Sequence, residues 1–367
     1  MMERASLHLG AILKGRWVGI AVALGLLVPT MGCQRAADEN SQQFQLIVAG
    51  TETAGSPGAR IWQHFADRYA ESGAETELRP LIYGQLGSEE QILSGLRRGR
   101  IHLATVSALS VAGLVPEIAI LSAPYLFDDA DEADRVLAPG GELRETYTAL
   151  LAERDLVALG FYQIGAQHVY SKRERFRPED FRGVRFRVSA SPAAHGLAAA
   201  LGADRITLPF SDVVPALQTG LVEAGENAIP YYAGTGISEQ APYLLLTGHA
   251  IGLNLIVASR QWWEQLSAPR RQDITAALMP ESDINRLIRD DNAATLADAQ
   301  AQGIHVHRPT ASELEAWRAT GRASHPEIIS AIGSSARHIY DRIQIERQRG
   351  STATYNASAT YDDSDPP

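Results

Sequence analysis

The chain has 367 residues, 45% of them hydrophobic, with 33 Lys and Arg against 43 Asp and Glu, a formal net charge of −10. This length allows two lobes, each with its own core. The acidic balance excludes the broad basic face that a nucleic-acid partner requires, although it permits a local basic pocket.

The N-terminus has the pattern of an export signal. A basic stretch precedes the apolar run 17–29, and small residues then lead to Cys33. Such a pattern predicts secretion, and the run is shorter than the roughly 20 apolar residues that span a membrane. We therefore expect the mature protein to work outside the cytoplasmic membrane.

Cys33 is the only cysteine of the chain, so no internal disulfide can form. Its position resembles a bacterial lipoprotein signal over residues 1–33, in which the cysteine is lipidated and becomes the new N-terminus. Thr30 departs from that motif, which prefers leucine there. Ordinary signal cleavage nearby, with Cys33 incidental, is the alternative.

The folded body begins with alternating strands and helices. Polar residues 34–43 predict a linker. Apolar runs bounded by glycine, and apolar residues at helical spacing, then predict a strand at 44–50, a helix at 59–73, a strand at 76–83, a helix at 87–99 and a strand at 101–108. This order favours an α/β fold with a mostly parallel sheet, whose functional groups lie at the carboxyl ends of the strands.

A second α/β set follows. It comprises predicted strands at 156–163 and 184–190, a helix around 193–203, a strand at 206–210 and a helix at 211–221. Beyond Gly252 the pattern is a strand and then helices, including a long one at 282–303. Residues 349–367 are small, polar and acidic, which predicts a disordered tail.

The strand at 184–188 carries two arginines in an apolar context. Alternation places Arg185 and Arg187 on the same face, and a buried arginine needs a partner. A guanidinium can hold a carboxylate by two parallel hydrogen bonds, so Arg187 is a candidate anion-binding residue. Pairing with an Asp or Glu of the fold is the alternative.

Several motifs, in order, resemble the solute-binding subunit of tripartite ATP-independent periplasmic (TRAP) transporters. They are "GQLGSEEQILSGLRRGRIHL", "ILSAPYLFDDADEADRVL", "GVRFRVSASP", "LPFSDVVPALQTGLVEAGEN" and "LLTGHAIGLNLIVASRQWWEQLS". The resemblance implies a hinged clamshell with a long connecting helix, one lobe at 44–164 plus about 253–292 and the other at 165–252 plus about 293–348. It also implies a periplasmic receptor that captures a small organic acid, needs no cofactor and delivers its ligand to TRAP membrane subunits.

The resemblance also implies ligand contacts. Arg187 occupies the place of the family's carboxylate-gripping residue, and Asn227 that of an asparagine holding the same carboxylate. Phe210 matches a position that packs on the ligand, and Ser107 a polar position at the cleft edge. The alternatives are a turn cap for Asn227, a core residue for Phe210, a strand-end cap for Ser107 and a structural or edge charge for Arg185.

Six further positions have candidate roles. Glu89 or Glu90 is a candidate ligand contact, although charge at a helix N-terminus explains both. Gln167 stands where many acid-binding members have a second basic residue, which makes a monocarboxylate or less charged ligand more plausible. His168 could supply partial positive charge, but on the other side of the strand. Tyr231 and Tyr232 could line the pocket.

Enzyme functions find little support. His305 and His307 share one face of a short strand, which is a weak metal signal, and solvent-facing histidines explain them better. The chain has no H-E-x-x-H, no G-x-S-x-G and no P-loop. We therefore expect no catalytic or metal site. An exported hydrolase and a sensor subunit presenting its ligand to a membrane receptor are the alternative functions.

Overall fold

One mixed sheet organises the part of the chain that the computed structural model describes, residues 45–73 and 76–359. The signal sequence, Cys33 and the linker predicted at 34–43 lie outside these residues. The strands are β1 (Leu46–Ala49), β2 (Leu78–Leu81), β3 (Leu103–Ser107), β4 (Leu156–Ser171), β5 (Arg185–Val188), β6 (Asp204–Thr207), β7 (Ala224–Ala228), β8 (Tyr243–Ser259) and β9 (His305–His307). Their order is β2-β1-β3-β8-β4-β7-β5-β6, with β9 on β8.

Two parallel groups of strands flank a central antiparallel pair. β1 is parallel to β2 and β3, and β5 is parallel to β6 and β7. Between the groups, β4 and β8 are antiparallel to each other from Leu156 and Ser259 to Ser171 and Tyr243. β8 is antiparallel to β3, and β4 to β7. The α/β class is confirmed, and the expected parallel pairing holds within each group but not at the two long strands.

Helices cover the sheet. They are α1 (Pro57–Glu71), α2 (Glu89–Arg97), α3 (Ala108–Val111), α4 (Ala130–Val136), α5 (Glu142–Ala152), α6 (Pro192–Ala200), α7 (Val213–Thr219), α8 (Ile229–Gly234), α9 (Ile237–Gln240), α10 (Arg260–Gln265), α11 (Ala268–Ala277), α12 (Glu281–Ala301), α13 (Ala311–Ala323), α14 (His325–Ile332) and α15 (Ser334–Ala359). Short 3₁₀ segments occupy Pro116–Ser122, Pro178–Phe181 and Phe210–Asp212.

Apolar side chains fill both faces of the sheet. Leu255 and Ile256 are consecutive on β8 and enter two different apolar clusters, because successive side chains of a strand point to opposite faces. Val169 and Tyr170 do the same on β4. Burial on both faces explains why the strands read as continuous apolar runs rather than alternating ones.

The long helix α12 is fixed to β4 by side chains that accept hydrogen bonds from the strand backbone. Glu281 Oε1 accepts from Phe161 N at 2.8 Å, and Asn285 Oδ1 accepts from Gln163 N at 2.9 Å. Arg144 of α5 pairs with the same glutamate at 2.5 Å. The helix predicted at 282–303 thus exists and runs beside the central strands.

The C-terminal helix is longer than the sequence indicates. α15 extends to Ala359, so it includes the first part of the segment expected to be a disordered tail, and residues 360–367 lie outside the described part. Across the residues that the structure describes, no helix combines the length and apolarity needed to cross a membrane.

Candidate functional site

All six residues predicted to contact a ligand line a single cavity. They are Glu89, Ser107, Gln167, Arg187, Phe210 and Asn227. The cavity lies where the parallel strands of both groups end: Ser107 is the last residue of β3, Ser189 directly follows β5, and Asn227 is the penultimate residue of β7. Residues of β4 and β8 complete its wall. The candidate residues therefore lie at the carboxyl ends of strands, where the sequence pattern placed the expected site.

Arg187 is 5% exposed and has no carboxylate partner among the described residues. Its Nε and Nη2 donate to the backbone oxygen of Leu208 at 3.1 and 2.9 Å. These bonds fix the plane of the guanidinium at the cavity wall and leave its remaining donors for another acceptor. The alternative of an ion pair within the fold is therefore wrong for the described part of the chain.

Arg185 has a different environment on the same strand. It is exposed, its Nη2 lies 3.4 Å from Glu223 Oε1, and its Nε donates to Gly220 O at 3.1 Å. Of the two expected roles, a structural or an edge charge, these contacts support the structural one, because β5 lies between β7 and β6. Arg185 and Arg187 thus differ in burial and in hydrogen-bond partners, although they are two residues apart and alternation places them on the same face of the strand.

Asn227 presents its amide nitrogen as a donor. Its Oδ1 accepts a hydrogen bond from Ala228 N at 2.9 Å, which fixes the orientation of the amide group. The Nδ2 group has no hydrogen-bond partner within the described residues, and Asn227 lines the same cavity as Arg187. Two donors, one charged and one neutral, can therefore meet the same anion.

Glu89 is the buried member of the glutamate pair, whereas Glu90 is exposed and lies outside the cavity lining. Glu89 accepts from Ser107 N at 2.8 Å, from Ser107 Oγ at 2.6 Å and from Ser110 Oγ at 2.5 Å. Burial raises the pKa of Glu89, although these hydrogen bonds favour the charged form. Ser107 also caps α3 by accepting from Ser110 N at 3.1 Å, so its alternative role as a cap is real as well.

Gln167 and His168 occupy different environments. Gln167 lines the cavity, and its Oε1 is buried without a hydrogen-bond partner among residues 45–73 and 76–359. His168 lies outside the cavity lining and accepts from Gly248 N at 3.0 Å through Nδ1. Burial, with a smaller contribution from His249, lowers the pKa of His168 to about 3. The suggestion that His168 supplies positive charge near neutral pH is therefore wrong.

The two tyrosines after Asn227 also occupy different environments. Tyr231 lines the cavity and meets the ring of Phe210 edge to face, with centroids 5.7 Å apart. Tyr232 is fully buried, stacks on Tyr170 and donates to Ala241 O at 2.9 Å. Phe210 and Tyr231 thus form an aromatic part of the cavity wall, while Tyr232 belongs to the core.

Asn254 and Glu226 also line the cavity and were not singled out from the sequence. Asn254 is the one polar side chain in the apolar stretch 253–258 of β8, which is the only signal that could have revealed it. Its Nδ2 donates to Tyr231 Oη at 3.0 Å and to Tyr162 Oη at 3.3 Å. Glu226 Oε2 lies 2.7 Å from His249 Nε2.

A second, smaller cavity adjoins the first. Ile164 and Tyr231 line both, and Glu52 lines the second. Burial, then repulsion from Glu89, raises the pKa of Glu52 to about 7, although hydrogen bonds from Ser56 and Tyr231 act against this rise. Glu52 was also missed, because a glutamate in "GTETAGSPG" resembles an ordinary loop residue.

Within the described ranges, no group of three or more His, Cys, Asp or Glu is arranged to hold a metal ion. His305 stacks on Tyr243 and His307 on Phe176. His307 Nε2 also lies 3.1 Å from Glu313 Oε2. These contacts account for both strand histidines without a metal.

Residues 48–331 match the family model described as bacterial extracellular solute-binding protein, family 7. The chain belongs to this family. The C4-dicarboxylate-binding periplasmic protein DctP of Rhodobacter capsulatus is 25% identical over 317 residues, 86% of this chain and 92% of its own length. The ectoine/5-hydroxyectoine-binding periplasmic protein UehA of Ruegeria pomeroyi is 25% identical over 266 residues, 72% of this chain and 74% of its own.

Solved structures of TRAP solute-binding proteins have the same fold. The periplasmic protein from Roseobacter denitrificans with bound β-D-glucuronate matches with a TM-score of 0.76 and 25% identity, over 82% of this chain and 99% of that one. The resemblance inferred from the motifs is thus confirmed. The relatives are binding proteins, and they differ in the solute that their descriptions name.

Proposed function

We propose that this protein is the receptor of a TRAP transporter and binds a small organic anion through its carboxylate at Arg187 and Asn227. The observation that carries the proposal is the buried guanidinium of Arg187, which lines the cavity without an ion-pair partner in the described residues. Leaving such a charge unpaired is unfavourable, so an anion that enters gains both Coulomb energy and hydrogen bonds.

The cavity geometry supports capture between two lobes, with boundaries at 44–164 plus about 253–292 and 165–252 plus about 293–348. Ser107 and Glu89 belong to the first lobe, and Arg187, Phe210 and Asn227 to the second. A ligand in contact with both sets stabilises the closed arrangement, because only that arrangement offers all the contacts at once. Closure around the ligand is then the signal that membrane subunits recognise.

The membrane partners and the anchor follow from the family and the N-terminal sequence. The TRAP membrane subunits would accept the solute from the closed receptor. Lipidation of Cys33 would hold the protein at the periplasmic side of a membrane, with residues 34–43 as a tether. The basic and apolar residues before Cys33 support this part of the proposal.

Thermal melting in the presence of individual organic acids tests the function, since a ligand that binds only the folded state raises the melting temperature. Isothermal titration calorimetry with the most effective acid then compares Arg187→Met with Arg185→Met. We expect Arg187→Met to lose at least about 30-fold in affinity, because a buried charged partner is removed. Arg185→Met is the matched control from the same strand. Equal affinity of Arg187→Met and the parent protein would refute the role of Arg187.

A further inference from the structure

The cavity lining has fewer cationic than acidic side chains. This imbalance restricts the ligand further than the requirement for a carboxylate does. Among the described residues of the lining, Arg187 is the one Lys or Arg side chain, whereas Glu89 and Glu226 are both carboxyl groups. Gln167 adds an amide and no charge. The cavity therefore offers one cationic position.

Asn254 contributes an unsatisfied acceptor. It is 3% exposed, and its Oδ1 has no hydrogen-bond partner in the part of the chain that the structure describes. The orientation of the amide is given by its other end: Nδ2 donates to the hydroxyl oxygens of Tyr231 and Tyr162, at 3.0 and 3.3 Å. In this orientation both tyrosine oxygens accept from the amide nitrogen, and Oδ1 has no donor among the described residues.

Gln167 contributes a second buried amide oxygen. It is 4% exposed, and its Oε1 likewise has no partner. A buried acceptor without a hydrogen bond costs about 1–3 kcal/mol, so a ligand that donates to it is favoured. A ligand that brings another acceptor leaves the protein group unpaired and adds repulsion.

We propose, resting on the function proposed above, that the ligand is a monocarboxylate whose remaining polar groups are hydrogen-bond donors to Asn254 and Gln167. Its carboxylate lies at Arg187 and Asn227. A dicarboxylate such as succinate is disfavoured, because its second carboxylate would meet Glu89, Glu226 and two carbonyl oxygens with no second cation to balance it. The shared chemistry of the preferred ligands is an O–H or N–H group, which either a sugar acid or a zwitterionic carboxylate can supply.

Calorimetry with D-glucuronate, ectoine and succinate distinguishes these chemistries. Glucuronate supplies hydroxyl donors, ectoine supplies N–H donors, and succinate at neutral pH supplies none. We expect at least one of the first two to bind more than ten-fold tighter than succinate. Tighter binding of glucuronate or of ectoine identifies which kind of donor the cavity takes.

The variant Asn254→Ala tests the assigned contact. It should lower the preference for the donor-bearing ligand over succinate at least five-fold. Asn292→Ala is the matched control, because Asn292 Oδ1 is also buried without a partner but lies on α12 outside the cavity lining. A melting curve for each variant verifies that it is folded. The affinities of the parent protein for the three ligands test the inference without any substitution.

Each outcome has a defined meaning. Succinate binding as tightly as the other two overturns the inference and leaves carboxylate capture intact. An unchanged preference in Asn254→Ala removes Asn254 from the contact. Failure of these acids and of the wider acid screen to bind contradicts the proposed function together with the inference.

Discussion

Glu226 and His249 form a hydrogen bond of 2.7 Å behind the cavity, with side chains that are 6% and 1% exposed. The other ring nitrogen of His249, Nδ1, lies 2.7 Å from Thr247 Oγ1. Glu226 lines the cavity, and His249 does not. The histidine therefore positions a carboxyl group of the site from the protein interior.

Replacing His249 with alanine should destabilise the protein strongly. Removal of one partner from a buried, hydrogen-bonded pair leaves the other unsatisfied, which costs about 1–3 kcal/mol or more, in addition to the packing lost with the imidazole ring. Chemical denaturation measures the free energy of unfolding. His195→Ala is the control, because that side chain is partly exposed and its contact with Thr207 Oγ1 is a longer one of 3.3 Å. Similar losses in the two variants would contradict the assigned role.

Replacing Glu52 with glutamine should stabilise the protein at alkaline pH. The pKa of Glu52 in the folded state is about 7, above its ordinary value of 4.5, so the folded state binds a proton that the unfolded state releases. Stability is therefore lost as pH rises from 4.5 to 7. Glu52→Gln removes this loss, which corresponds to at most about 3 kcal/mol.

Denaturation of both proteins at pH 5 and pH 8 measures that effect. The two free energies of unfolding should differ little at pH 5, where Glu52 is protonated. At pH 8 the glutamine variant should be the more stable protein. A difference that does not change with pH would show that Glu52 ionises normally in the folded state.

Replacing His168 with asparagine should make the protein less sensitive to acid. The pKa of His168 is lowered from 6.5 to about 3 in the folded state, so the unfolded state takes up the proton first. Stability is consequently lost as pH falls below 6.5. An asparagine side chain can still accept from Gly248 N, but it does not titrate. Between pH 7 and pH 5 the parent protein should lose about 2 kcal/mol more than the His168→Asn variant, and parallel pH profiles would disprove this.

Replacing Gly165 with alanine should disturb the contact between β4 and α12. Gly165 has φ of 96°, and a Cβ there would lie 2.3 Å from Asn292 Nδ2. Gly303→Ala is a matched control, since Gly303 has φ of 93° and open space where its Cβ would lie. Both variants carry backbone strain of about 1 kcal/mol or more. Gly165→Ala should lower the melting temperature more than Gly303→Ala does. Equal decreases would mean that backbone strain, and not the contact with Asn292, determines the effect.

The residues proposed to bind the anion could be singled out from the sequence, because they stand out locally. Arg187 is a charge in an apolar strand, and Asn227 ends a motif that resembles a known family. The acceptor side is harder to predict. An asparagine such as Asn254 in a buried strand can equally be satisfied inside the core, and only the neighbouring Tyr162 and Tyr231 show that its oxygen is unpaired.

The order and direction of the strands could not be predicted from local pattern alone. An apolar run such as 253–258 fits a buried parallel or antiparallel strand equally well. β8 pairs with β3 and β4, which lie far away in sequence, and that choice depends on how distant surfaces fit together. The register shift of β4 at Gly165 coincides with a glycine, which can signal a bulge, whereas the shift between Gln167 and Val169 leaves no clear mark in the sequence.

The long pairing of β4 with β8 has a consequence for proteolysis. A protease that cuts once between residues 172 and 242 produces two fragments, each of which contains one of these strands. The ladder of backbone hydrogen bonds and the shared apolar clusters would keep the fragments associated. The nicked protein should therefore migrate as one species under native conditions and separate only in denaturant.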